Sequence, residues 1–174
     1  MDSLSRFWHR LGDAEYLHLI LEPLPLYGCL FGLIFLLAAL GMKVPKIQTL
    51  ALVVIAASAL SYYPYLKQRE ASTPQIAVLL PKNGQKTIAS GLQQRTQEQW
   101  LYYVTAACCL LTLAGRKSKF GPVLLTGSLV GGIAVILFSG MAHLRDAEVF
   151  HPNIGAEPST AVTMPVTLGK PKAQ

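Results

Sequence analysis

Glu15 precedes His18 by three residues, and Glu148 precedes His151 by the same step. On a helix that spacing sets a carboxylate and an imidazole on one face, the pairing with which ferritin-like bundles hold two metal ions, completed there by one further Glu from each of two other helices. Glu70 and Glu98, each flanking another apolar segment, are placed to supply them. Glu15, His18, Glu70, Glu98, Glu148 and His151 therefore form the candidate set for a transition metal. A second chemistry needs only imidazoles: His18 precedes one apolar segment and His143 ends another, so a closed bundle would bring both to one depth, where they would ligate a b-type haem. Against both readings, these residues lie beyond or at the ends of the apolar segments, where charged side chains ordinarily sit in solvent, and Pro152 follows His151 directly. The expected state is therefore one with no cofactor bound.

The elements that must position these residues are four apolar segments, 24–42, 47–66, 99–115 and 121–143, none of which contains Asp, Glu, Lys or Arg. Each is about long enough to cross a hydrocarbon core of roughly 30 Å as a helix. The chain is 52% hydrophobic and 14% charged, in keeping with lipid as the solvent. The expected fold is all-α and polytopic: four transmembrane helices as two hairpins, 23–66 and 99–145, joined by an extramembrane loop over 67–98. An amphipathic interfacial helix is expected within 1–22, where Leu4, Phe7, Trp8 and Leu11 recur at helical spacing with Arg6 and Arg10 among them. No secretory signal opens the chain, so the first span is expected to be retained.

The tight connections carry Lys43, Lys46, Arg116, Lys117 and Lys119 with no acid, whereas all 9 acids lie on the opposite side. Basic residues in short loops set orientation, which predicts cytoplasmic turns and two periplasmic termini in a bacterial inner membrane. Cys29, Cys108 and Cys109 fall inside spans and read as small packing residues; no CxxC or CxxCH motif is present.

Helices associate in lipid through close backbone approach at small residues. Gly28 with Gly32, and Gly127 with Gly131, are the GxxxG pairs expected to pack the bundle or to dock a further membrane subunit. The spans lack ionisable groups at mid-depth, which disfavours a pump or transporter and leaves a small channel or exporter as a minor alternative. Tyr62, Tyr63, Tyr65, Trp100, Tyr102 and Tyr103 gather at one end of the second and third spans, more than an interfacial belt requires. Some of these rings are expected against a cofactor, a lipid headgroup or a partner.

Within 67–98, the apolar run 76–80 lies between Pro74 and Pro81 and is followed by Asn83-Gly84, a pattern for a short strand or membrane-grazing segment ending in a turn. Serine-nucleophile motifs such as GxSxG are absent. The tail 146–174 is rich in Pro, Thr, Val and Gly from Pro152 onward and is expected to be disordered when free or extended along a partner, with 162–168 able to add as a strand.

Leu17-His18 leading into Pro23-Leu24-Pro25-Leu26-Tyr27-Gly28, the exit Ser61-Tyr62-Tyr63-Pro64 followed by Glu70-Ala71, and Glu98 at the start of the third span together resemble a family of small bacterial four-helix membrane proteins of unknown function. The likeness covers most of 15–150. Relatives of that kind place a histidine just before the third span and an Arg-His-x-Glu-like run after the fourth; here those regions read Gln93-Gln94-Arg95 and His143-Leu144-Arg145-Asp146-Ala147-Glu148. The resemblance thus implies a structural descendant of a cofactor-binding type that has lost an imidazole. The function expected on these grounds is non-enzymatic: an accessory subunit of a larger membrane complex, of the electron-transport or photosynthetic kind, whose partners are the bilayer and other membrane chains. Neither nucleic acid nor a soluble small-molecule substrate is expected. The alternative is an electron-transfer protein holding haem or a metal on the histidines above.

Overall fold

The computed structural model describes residues 21–78, 80, 82–115 and 118–150, which are helical throughout apart from short turns and contain no strand. The expected amphipathic helix at 1–20 and the tail from 151 onward lie outside the described residues. Three helical stretches among those described are long and apolar enough to cross a membrane, Leu24–Gly41, Pro45–Val78 and Gly121–Ala147, which marks the chain as a helical membrane protein.

The chain enters through a π-helical turn, Leu24–Gly28, with Pro23 and Pro25 at its start, where amides have no intrahelical partner to lose. Helix α1, Cys29–Gly41, follows and ends in a Schellman cap: the Val44 amide bonds the Ala39 carbonyl at 3.0 Å and the Lys43 amide bonds that of Leu40 at 3.3 Å. Lys43 adopts φ 56° to make this turn, a conformation more comfortable for glycine. Pro45 then opens α2, Pro45–Leu60, at a position where its missing amide costs nothing.

Helix α3, Tyr62–Val78, continues the same path after a break at Ser61. Pro64 has no amide to give the Leu60 carbonyl, so the helical ladder is interrupted there, and the Ser61 hydroxyl bonds the Ser58 carbonyl at 2.7 Å. Helix α4, Lys82–Ala114, has 33 residues and is about 50 Å long at roughly 1.5 Å per residue. Helix α5, Gly121–Phe150, has 30 residues. Both outrun the apolar segments and project past the end of the bundle remote from the 42–44 and 115–120 turns, called the distal end below.

Residues 67–78 and 82–98, expected as an extramembrane loop, are helical, and 76–78 of the apolar run belong to α3. The reason is a helical stripe of mixed polarity: Tyr62, Tyr65, Leu66, Arg69, Ser72 and Ile76 are buried at three- and four-residue steps along α3, facing Ile88 and Arg95 on α4. Pro74 sits within α3, where the Thr73 hydroxyl bonds the Arg69 carbonyl at 2.7 Å, and Asn83-Gly84 fall in the first turn of α4, where helix breakers are tolerated. The run 146–150, assigned by sequence to the tail, is the last turn of α5.

Small residues set how closely the helices meet. A Cβ on Gly32 would stand 2.5 Å from Ile55 Cγ1 and 3.3 Å from the Ile55 amide nitrogen, and one on Gly28 would collide with Ser58, so α1 lies against α2. Gly131 meets Thr105 and Gly127 meets Cys108 on α4, while the opposite side of α5 brings Gly132 against Leu33 of α1. The core between them is Leu36, Leu52, Ile55, Ala56, Ala59, Ala106, Cys109 and Val135. One hydroxyl pair, Thr112 with Ser128 at 3.1 Å, bonds α4 to α5 across it.

Candidate functional site, a buried charge cluster at the distal end

Three ionisable residues converge where α3, α4 and α5 leave the apolar segments. Arg69 comes from the buried stripe of α3, Arg95 from that of α4 and Asp146 from the last turns of α5. Arg95 donates from Nη2 to Asp146 Oδ2 at 3.0 Å and from Nη1 to Oδ1 at 3.4 Å, and Nη2 also reaches the Ala142 carbonyl at 3.1 Å. Arg69 Nη2 lies 2.9 Å from the same Oδ2. That approach is off the N–H direction: Arg69 Nε and Nη2 have no hydrogen-bond partner although the residue is only 1% exposed. One carboxylate thus faces two guanidiniums, leaving the cluster with an excess positive charge. Burial works against the charged form of Arg95, but Tyr65 and Asp146 more than offset it and raise its pKa, so it is cationic throughout the physiological range.

Aromatic rings wall the cluster on its bundle side. Tyr62 and Tyr102 stack with centroids 3.6 Å apart and planes 9° from parallel, and Tyr65 leans on Tyr62 at 5.6 Å. The Tyr62 hydroxyl donates to the Arg95 carbonyl at 3.1 Å, and the Tyr102 hydroxyl pairs with Ser139 at 2.9 Å. Half of the six aromatic residues at this end are therefore packed on one another, while Tyr63 and Trp100 point outward.

On the other side of Arg95, α4 and α5 diverge to leave a cavity of about 250 Å³. Along its length the lining changes from Phe138 and Met141 through Gln94, Glu98 and Arg145 to Ser90 and Thr87. Gln94 bridges its two charged neighbours: its amide carbonyl accepts from Arg145 Nη1 and its amide nitrogen donates to Glu98 Oε1.

Of the residues that the sequence nominated for metal or haem, His143 turns Nδ1 toward Glu22 Oε1 at 3.4 Å. Glu70 takes an ion pair from Lys67 at 3.0 Å on the exposed side of α3. Glu98 lies in the groove just described. Glu148 belongs to α5, but its side chain, together with Glu15, His18 and His151, lies outside the described residues. Among the described residues no three His, Cys, Asp or Glu side chains gather closely enough to hold a metal ion.

Arg69, Arg95 and Asp146 were not nominated. Their signal was present for the arginines, each an ionisable residue in register with a buried stripe: Arg69 four residues after Tyr65, and Arg95 seven after Ile88 and seven before Tyr102. Chemically, a carboxylate engaged by two guanidiniums is poorly placed to act as a base, and the cluster serves to hold three helices together. No protein-family model, curated protein or solved structure matches the chain. What fold and site define is a helical membrane protein whose distal end is clasped by two arginines on one aspartate.

Proposed function

We propose that this chain is a non-enzymatic integral membrane protein acting as an accessory subunit of a larger membrane assembly, of the electron-transport or photosynthetic kind. In this reading four helices cross the bilayer as two hairpins, with α4 contributing its apolar half, Trp100 to Ala114. The basic turns around Lys43 and Lys119 face the cytoplasm of a bacterial cell, and both termini lie in the periplasm.

The observation that carries the proposal is the clasp. Arg69 and Arg95 are spent on Asp146, so the charges of the clasp fasten α3, α4 and α5 into a stiff projection. Such a projection, about 18 Å tall over residues 67–78 of α3, is a preformed platform on which another chain docks with little ordering cost.

The test is purification of the tagged protein from its native membrane in a mild detergent, followed by native electrophoresis and identification of co-migrating chains. Migration within a larger assembly is the expected result. A lone monomer at native expression level would overturn the reading.

A further inference from the structure

The groove between α4 and α5 holds two charges that no other charged side chain among the described residues pairs. Arg95 at its floor is paired with Asp146, but Arg145 and Glu98 have no ion-pair partner among the described residues, and each bonds the Gln94 carboxamide between them. A cation and an anion held one carboxamide apart are complementary to a small zwitterion. The polarity of the walls says which kind: at the end toward the apolar spans lie Phe138 and a half-exposed Met141, and at the far end the hydroxyl of Ser90. A free zwitterion has no use for the apolar end, whereas a phospholipid at the membrane boundary, its headgroup lying along the surface, uses both the apolar end and the two charges.

We infer that this groove binds a zwitterionic phospholipid of the phosphoethanolamine type. Its phosphate lies on the Arg145 guanidinium, its ammonium on the Glu98 carboxylate and the start of its acyl chains along Met141 and Phe138. A guanidinium recognises phosphate by charge-assisted hydrogen bonds. The ammonium of ethanolamine donates hydrogen bonds to a carboxylate, which the trimethylated ammonium of choline cannot do. The inference rests on the membrane-crossing reading above, because that reading sets the groove at headgroup depth.

The full chain in detergent is titrated with phosphatidylethanolamine, phosphatidylglycerol and phosphatidylcholine, and each bound lipid is counted by native mass spectrometry. Phosphatidylethanolamine is expected to bind about tenfold more tightly than the other two, the worth of one charge-assisted hydrogen bond. Arg145→Gln weakens all three lipids, and Glu98→Gln removes the preference for ethanolamine. Gly91→Leu, whose added side chain starts in open space and grows into the groove, lowers occupancy without touching a charge. Circular dichroism and the thermal midpoint confirm that each variant is folded. Equal binding of the three lipids, a preference surviving Glu98→Gln, or undiminished occupancy in Gly91→Leu would each overturn the inference. Free phosphoethanolamine binding as tightly as the lipid would overturn the lipid as occupant. Release of the protein from membranes without detergent would instead sink the membrane-crossing reading.

Discussion

Arg95 meets both oxygens of Asp146, at 3.0 and 3.4 Å, across 51 residues of chain. Because Arg69 shares one of those oxygens, the aspartate is the hub on which three helices depend. Truncating one member of a buried ion cluster leaves the others charged and unpaired, at a cost of about 3–5 kcal/mol. Asp146→Ala is therefore expected to lower the unfolding midpoint in detergent far more than Glu70→Ala, whose pair with Lys67 is exposed and screened by water. A triple replacement of Arg69, Arg95 and Asp146 by Met, Leu and Leu should recover most of the loss. Equal midpoints for Asp146→Ala and the parent would show that the clasp carries no weight.

Gly32 and Gly140 separate close packing from mere helix composition. A methyl at Gly32 meets Ile55 at side chain and backbone, so Gly32→Ala is expected to cost about 1–3 kcal/mol through overpacking. At Gly140 nothing lies within 4 Å of the added atom, so Gly140→Ala should gain roughly 0.5–1 kcal/mol from lower backbone entropy in the unfolded chain. Reversible unfolding in mixed micelles measures both, and effects of the same sign would contradict the packing described.

Lys43 holds φ 56° at the cap of α1. Lys43→Gly is expected to raise stability by about 1 kcal/mol, since glycine adopts this conformation without a Cβ clash. Lys43→Val should lower it, because a β-branched residue is the poorest fit to that region. Thermal melts of the two variants, read against the parent, check the order.

The direction of the chain is open to chemical labelling. Single cysteines at Asn83 and Ser118, introduced after the native Cys29, Cys108 and Cys109 are replaced by Ala or Ser, should lie on opposite sides of the bilayer. A membrane-impermeant maleimide is expected to modify position 83 in intact spheroplasts and position 118 only after permeabilisation. Labelling of both from one side would refute a single crossing by α4.

Uninterrupted apolar runs are legible in a sequence because lipid demands the same chemistry on every face of a helix, so the segments at 24–42, 47–66 and 121–143 stood out. The stretch 67–98 was not, since Pro74, Pro81 and Asn83-Gly84 all read as breakers, while the helical period beneath them is carried by Tyr65, Arg69, Ser72 and Ile76, residues that share no hydropathy. Which helix stands beside which is harder still. Arg69 and Arg95 stand on their buried stripes, yet nothing local connects either to Asp146, and the pairing exists only once α5 lies against α4. For His143 the sequence offers depth alone; among the described residues its neighbour is the Glu22 carboxylate, and His18 lies outside them.

The clasp also orders events in time. Arg69 and Arg95 leave the ribosome well before Asp146, so the two arginines must wait, in water or on a chaperone, until the last helix has been made. A chain that stops short of Asp146 leaves a pair of guanidiniums with no carboxylate to close on. Closure of the distal end thus waits on the last helix to be made.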